Sequence, residues 1–546
     1  MKSSISLLIF LVLFISCSDF LVEEPTTEIT ESDFFTSEEN AITALNAVYD
    51  PLGWGESSIL GSRGHSYEFI IGDICTDDSE KGSTTGDQSS INFLKNFTSG
   101  AGSSNLSVLW SKHYIAIARA NFVLKNLEDA PFNDLVKEEL QAEVRFVRAY
   151  SYFLLVRIFG PVPLFDKPVS PEDINTKDFT NAAINEIYLQ IEEDLNFAIE
   201  KLPVKGVREI GRANKGAAAA YLSRVIMYQL GTDNTNQHTW QEVFDLTNNF
   251  IDGLYGNYSL AVNYAELFDP IGENNNESIF EIQSIDNDID PFNEGAYVGS
   301  EWSIFQHPQF MGGWGFNTPT QDLANSFEAN DPRRQNTALT NGEFAYGIEM
   351  IENIRNQTGF YSRKAILSPD FWGSGGDGKR KGSGYNIRKF RYADILLMNA
   401  EAAYHIGNNP QAILRLSEIR NRASQSTYPR GFDSSDPEGF TQTGFPPLDN
   451  SIIPTSGQAL LDFIYLERRR EFGMEQLRYW DLVRTGRYVS TMEMKYGTSG
   501  SVILNHSFVA GGDRTAGKTI VNPIPVFPIP AFEVADWGIL QNPGYN

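Results

Sequence analysis

The sequence predicts a mostly α-helical protein in which helix pairs form a scaffold and carry a loop-rich variable region with short strands. Three observations predict this. Apolar residues recur at three- and four-residue spacing through several long segments, and short turns of Gly, Pro and Asn separate them. Between Gly231 and Gly384 that periodicity fades, and Gly, Asn, Asp and aromatic residues take over. The apolar fraction of 41% and aromatic fraction of 12% over 546 residues are those of a folded chain with a sizeable core.

In chain order, Lys2 supplies a positive start, and Ile5 to Ile15 is an apolar run too short for the roughly 20 residues of a spanning helix. Small Ser16 precedes Cys17, so Phe14-Ile15-Ser16-Cys17 reads as a lipoprotein cleavage site. Residues 1–16 are then a signal peptide, and Cys17 is the lipidated first residue of the mature chain. An ordinary secretory signal is the other reading. Several acyl chains on one cysteine anchor stably where a single chain would not. Cys75 is the only other cysteine, so lipidation of Cys17 leaves no disulfide framework. Residues 17–36 form the lipidated N-terminus and a polar tether.

Residues 37–230 read as an N-terminal helical region. Ala41, Leu45, Val48 and Tyr49 follow Ser37 at helical spacing, and a Gly- and Ser-rich loop spans Gly53 to Ser104. Helices are predicted from Trp110 to Leu127 and from Val136 to Phe159. In the second, Leu140, Val144, Val147, Leu154 and Ile158 make one apolar stripe, and Gly160-Pro161-Val162-Pro163 ends it. A further pair covers Ala182–Lys201 and Asn214–Leu230. Residues 231–384 are the variable region and the expected seat of ligand binding, since binding residues concentrate on loops held by a rigid frame.

Residues 385–546 form the C-terminal region. Tyr392–Ile406, the turn Gly407-Asn408-Asn409-Pro410 and Gln411–Ala423 make an antiparallel pair. With small Ala400, Ala402, Ala403 and Ala412 at the contact, it resembles a tetratricopeptide unit. No repeat period is visible, so separated pairs are expected rather than a regular solenoid. The prolines of the tail from Val521 exclude it from a helix interior.

Several stretches together resemble the SusD/RagB family. They are CSDFL at Cys17, AEVRFVRAYSYFLLVRIFGPVPL from Ala142 and RANKGAAAAYLSRV from Arg212. In the C-terminal half they are IRKFRYADILLMNAEAAY from Ile387, LSEIRNRA from Leu416, ERRREFGMEQLRYWDLVRTGR from Glu467 and PIPVFPIPAFEVADWGILQNPGY from Pro523. The resemblance implies a SusD-like fold, with four tetratricopeptide-like helix pairs behind a variable face. It implies a lipid-anchored, surface-exposed protein of the cell outer membrane that binds a polysaccharide or oligosaccharide. Its implied partner is a SusC-like TonB-dependent outer-membrane transporter, within a polysaccharide-utilisation system. Capture of this kind breaks no bond, so an enzyme is not expected, and neither is a cofactor or a metal.

The charge agrees. A formal net charge of −27 repels a phosphate backbone and excludes nucleic acid as a partner. It also excludes attachment to an anionic leaflet through a basic face, which leaves the N-terminal lipid as the membrane contact.

A sugar ring has apolar C–H faces and a rim of hydroxyls, so it needs flat aromatic platforms edged by polar side chains. Covering ~100 Å² contributes about 2.5 kcal/mol, and two platforms give roughly millimolar affinity after ordering costs. Trp110, Trp240, Trp480 and Trp537 sit in helical or tail segments and read as core. Trp54, Trp302, Trp314 and Trp372 lie in non-periodic regions and are the glycan-binding candidates. Trp314 leads, because flanking glycines would let its ring lie open, with Phe316 and Asn317 following. Trp302 pairs with Tyr297, and Trp372 with Tyr361. Lys379, Arg380 and Lys381 make a basic island suited either to a solvated loop tip or to carboxylate and sulfate groups on an anionic polysaccharide such as ulvan.

Other motifs carry less. Gly512 to Thr519 matches a phosphate-binding loop, but Pro523 and Pro525 follow too soon for the helix that motif needs. Asp286, Asp288 and Asp290 alternate as in a calcium loop, yet Tyr297 stands where the bidentate Glu belongs. The six histidines show no metal-ligand spacing. The alternatives to glycan capture are a surface glycoside hydrolase using paired carboxylates, and a structural lipoprotein that binds nothing.

Overall fold

The computed structural model describes residues 31–57, 64–65, 67–84, 86–95, 99–176, 179–232, 236–285, 302–353, 356, 358–369, 384–496 and 526–545. Among them the architecture is mostly helical, with strands that are short and paired two by two.

The scaffold starts with α1 (Glu38–Gly53), whose Ser37 hydroxyl caps the amide of Asn40. Next come α2 (Ser104–Glu128), α3 (Asp134–Phe159), α4 (Ile184–Lys201), α5 (Lys215–Thr232) and α6 (Trp240–Ile251). After a long excursion follow α7 (Tyr392–His405), α8 (Asn409–Gln425) and α9 (Gly457–Phe472). Each helix from α1 to α8 packs on the next, and α9 packs on α7. The pairs are therefore not separated, as the missing repeat period suggested, but form one continuous stack.

The helix signals act where the sequence places them. Asn133 caps α3 through the amide of Leu135, and Gly160 ends it at φ 71°, a conformation open to glycine, just before Pro161. α3 is more enclosed than a single stripe implies: every residue from Phe146 to Phe159 is buried. It is the central rod of the core, so its apolar face closes on all sides.

One helix lies beyond the expected boundary. Thr239 and Glu242 form a reciprocal capping box that starts α6 inside the stretch read as loops. The loop-rich region thus opens at Asp252 rather than Gly231. α6 and α7, some 140 residues apart in sequence, pack directly, and the Asn399 amide donates to Thr247 Oγ1 at 3.0 Å and Asn248 Oδ1 at 3.1 Å. The rings of Phe250 and Tyr392, at the two ends of the excursion, lie 6.2 Å apart.

The excursion carries most of the strands. β1 (Ser79–Gly82), from the loop before α2, pairs antiparallel with β3 (Phe316–Pro319), placing Glu80 opposite Thr318. β2 (Ser278–Ile282) pairs with β6 (Ile387–Arg391), and β4 (Ala338–Thr340) with β5 (Phe360–Ser362).

A buried charge network fastens the excursion to the stack. Arg333, 0% exposed, donates to Asp331 at 2.7 Å, to Glu467 at 2.6 Å and to Glu471 at 3.0 Å. Arg391 and Arg422 reach Glu277 at 2.7 and 2.9 Å, and both also meet Glu471. Burial alone would raise the Glu471 carboxyl, yet Arg422, Arg391 and Arg333 together hold it far below the usual range. The ERRREF segment that reads in sequence as an ordinary helix is the hub of this network.

The C-terminal segment is extended at Val526–Ile529, buried against α3, and turns into a short helix at Ala531–Trp537. The amide of Phe527 donates to the Ile158 carbonyl at 2.8 Å, and Asn542 donates to the carbonyls of Phe159 and Phe527. No helix among the described residues is long and apolar enough to cross a membrane. The expected signal peptide and Cys17 lie outside the described residues.

Candidate functional site

Two half-buried tryptophans are the described candidates that remain accessible. Trp54 stands just past the end of α1, where Pro51 and Gly53 finish the helix and the chain turns extended at φ −64° and ψ 125°. Lys112 of α2 donates to the Trp54 carbonyl at 2.9 Å and holds the backbone there. Burial pushes that ammonium down to about 7, against the pull of Glu68. Two turns further along α2, Arg119 donates to the Ala47 carbonyl at 2.6 Å and to Asp50 at 2.9 Å. Its guanidinium lies 5.4 Å from the Trp54 ring.

These residues edge a cleft of about 640 Å³ between α1, the Glu209–Arg212 turn and the end of β2. Ile210 lies 76% exposed at its rim, and Gln283 lines the same cleft with its amide nitrogen on Asn274 at 3.0 Å and the Glu281 carbonyl at 3.1 Å. A flat ring, an apolar neighbour and a border of carboxylate, guanidinium and amide groups are what a sugar face and its hydroxyls require.

Trp314 sits on the other accessible loop. Its amide donates to the Ile304 carbonyl at 3.0 Å, its ring meets Phe305 edge-on at 5.4 Å, and Gln309 Nε2 bridges the Trp314 carbonyl and the Ser83 hydroxyl, each at 3.0 Å. Ser83 in turn donates to Asp87 at 2.7 Å, so polar groups flank this ring too. The glycines act differently from the expectation. A Cβ on Gly313 would lie 2.0 Å from the His307 carbonyl oxygen. Gly313 therefore lets the loop press tightly on the Trp302–Gln306 helix instead of leaving the ring loose.

Trp54 and Trp314 do not share one cleft, but buried rings connect them. The Tyr67 hydroxyl fills the space a Cβ on Gly55 would take, the Tyr67 ring lies 5.5 Å from Phe305, and Phe305 meets Trp314.

Four other candidates are interior, which corrects their reading as a binding surface. Phe316, 2% exposed, stacks on Phe305 at 4.4 Å because β3 pairs with β1 in the core. Asn317, at φ 54°, donates to Gln306 at 2.6 Å and to Asp73 at 3.2 Å, and accepts from Ser79 at 2.6 Å. Burial pushes Asp73 up to about 7, with the Asn317 and Gln476 hydrogen bonds opposing. Trp302 opens a short buried helix, and Tyr361 is buried on β5 with its hydroxyl on the Ile351 carbonyl at 2.8 Å. Tyr297, Trp372, Lys379, Arg380 and Lys381 lie outside the described residues, as do the two decoy loops at Asp286–Asp290 and Gly512–Thr519.

Sequence reasoning missed Asp50, Arg119, Ile210 and Gln283. Arg119 meets Asp50 across 69 residues, and only the fold brings them together. No group of three or more His, Cys, Asp or Glu suited to a metal occurs among the described residues.

A family model described as the SusD family matches residues 276–545, and one described as starch-binding associating with outer membrane matches residues 57–227. A SusD-like protein of Bacteroides ovatus is 26% identical over 528 residues, which covers 89% of this chain and 82% of that protein. A SusD-like protein of Formosa agariphila is 25% identical, covering 86% and 87%. Among solved structures, a laminarin binding SusD-like protein superposes with TM-score 0.70 at 26% identity, over 93% of this chain and all of that one. Surface glycan-binding protein A from Bacteroides fluxus gives TM-score 0.72 at 23% identity and supports the fold.

Proposed function

The chain belongs to the SusD family, and from that premise we propose that it captures oligosaccharide at the cell surface without cleaving it. The observation that carries the reading is the pair of half-buried tryptophans, Trp54 and Trp314, each held by backbone contacts and bordered by polar groups. Asp50, Arg119 and Gln283 border the first, and Ser83, Asp87 and Gln309 border the second. The carboxylates near Trp54 serve as ion-pair partners: Asp50 faces Arg119, and Glu209 faces Arg212 at 2.9 Å. That use suits binding better than the paired acid and base of a hydrolase.

In this proposal Cys17 carries the lipid that holds the protein on the outer membrane, and captured glycan passes to a SusC-like TonB-dependent transporter. Laminarin, the ligand named for one structural relative, is the first neutral glycan to try. Lys379, Arg380 and Lys381, with Trp372 close by in sequence, make an anionic polysaccharide such as ulvan the first charged one.

The test is affinity electrophoresis of the purified protein through gels containing laminarin, other plant and algal glucans, or ulvan. Retardation by at least one glycan, reduced in Trp54→Ala or Trp314→Ala and without release of sugar, is the expected result. Unchanged migration in every gel, or steady production of reducing ends, would refute capture.

A further inference from the structure

Helix α3 carries two buried arginines with different surroundings. Arg148, 3% exposed, is met by Asp194 through two hydrogen bonds of 2.8 and 2.7 Å. Arg157, 8% exposed, makes no ion pair with a carboxylate among the described residues, and Glu68 acts on it only through space. Its Nε donates to the Phe153 carbonyl at 3.0 Å, while Nη1 and Nη2 make no hydrogen bond or ion pair among the described residues. The guanidinium is held between the rings of Phe153 at 4.0 Å and Trp480 at 4.3 Å. Those rings fix its plane, yet they supply no counter-charge for a cation taken out of water. Burial accordingly pushes Arg157 down from its ordinary value.

Arg157 lines a cavity of about 480 Å³ where the ends of α3 and α5 meet the start of α4 and the extended segment at Val526. Among the described residues no Asp or Glu lines it. Two further features of the same walls favour negative charge. Tyr228 lines the cavity, and its hydroxyl, buried in the wall, has no hydrogen-bond partner among the described residues. Ile184 and Asn185, the first residues of the 18-residue α4, also line it; Ala183 at the cap position offers no side chain to their amides, while the Glu186 carboxylate of the same turn accepts from the Ala183 amide at 2.9 Å. The start of a helix carries unsatisfied amides and the positive end of its dipole.

We propose that this cavity takes up a carboxylate group, gripped by the fork of Arg157, with Tyr228 and the first turn of α4 completing the site. A planar carboxylate fits two guanidinium donors side by side. The cavity has room for more than the carboxylate itself, so the group can belong to a sugar acid or to a small organic acid. This site lies apart from Trp54 and Trp314 and does not rest on glycan capture there.

The test is calorimetric titration of the purified protein with digalacturonate, succinate and neutral galactobiose. An acid probe is expected to bind and galactobiose not to bind at this site. Binding by digalacturonate alone identifies a sugar acid, and equal binding of succinate identifies free organic acids. Arg157→Met is expected to weaken the acid probe about 10- to 100-fold, and Tyr228→Phe about three- to tenfold. Tyr228→Phe keeps the ring packing and carries the test alone if the arginine variant does not fold. Failure of both acids to bind, native affinity in both variants, or loss of acid binding in Trp54→Ala instead would overturn the proposal.

Discussion

Arg119 decides how Trp54 can be used. The guanidinium fixes one side of the ring and keeps Asp50 occupied, so a glycan meets a preset platform rather than a rotating one. Trp54→Ala should weaken a glycan that binds this cleft by about 1–2.5 kcal/mol, roughly 5- to 60-fold. Arg119→Ala should weaken it less, and calorimetry on the two variants checks the order. Glu68 gives a second prediction at this scale. Burial alone would raise its carboxyl, but Lys389 at 2.9 Å and the Tyr150 hydroxyl bring it from 4.5 down to about 2. A depressed carboxylate stabilises the fold above its unfolded value, and that gain fades as pH falls from about 4.5 toward 2. Glu68→Gln should therefore cost about 3 kcal/mol at pH 7, with the gap to the native protein closing between pH 4.5 and 2 in thermal melts. A gap that stays constant through that range would contradict the assignment. Sequence singled out Trp54 and Trp314 as candidates because tryptophan in a Gly-rich stretch is conspicuous, and both lie half-buried. It misplaced Phe316 and Asn317 because nothing local reveals that β3 is paired with β1, more than 200 residues away.

Among the elements, the loop from His307 to Trp314 depends on close backbone approach. Gly313→Ala places a methyl group against the His307 carbonyl, so the loop must shift and carry Trp314 with it. The variant should lose affinity for a glycan bound at Trp314 while its far-ultraviolet circular dichroism stays native; native affinity would separate the ring from the turn. α6 supplies another case. Thr239→Ala removes one half of the capping box and should cost about 1 kcal/mol in urea denaturation. Helices α3, α4, α5, α7 and α8 were legible from periodicity and caps, with ends within two residues of those expected, whereas α2 begins six residues before Trp110. α6 was missed as part of the stack because it is only 12 residues long and lies between Gly-, Asn- and Asp-rich segments.

For the whole molecule the buried network is decisive. Arg333→Met takes the ion-pair partner from Asp331 and one of several from Glu467 and Glu471, which keep Arg420, Arg470, Arg391 and Arg422; breaking such a buried pair costs about 3–5 kcal/mol. Since Arg333 sits in the excursion and its glutamates on α9, urea unfolding should shift as one transition with an unchanged slope. A separate early step for residues 252–391 would show instead that the excursion unfolds independently. The helical class was legible because it rests on local pattern; the continuous stack was not, since it is closed by contacts such as α6 with α7 across some 140 residues. The network was not, since Arg333 lies 134 residues from Glu467 and sequence shows charge types without pairing them.

The nearness of Phe250 to Tyr392 means the chain leaves the stack and rejoins it at almost the same point. A segment with such closely spaced ends can be exchanged as a cassette between relatives, recombining one protein's ligand preference with another's frame. A graft of 252–391 should be tolerated only when it brings its own counterparts of Asp331 and Arg333, because the recipient's two glutamates on α9 would otherwise be left facing an empty socket.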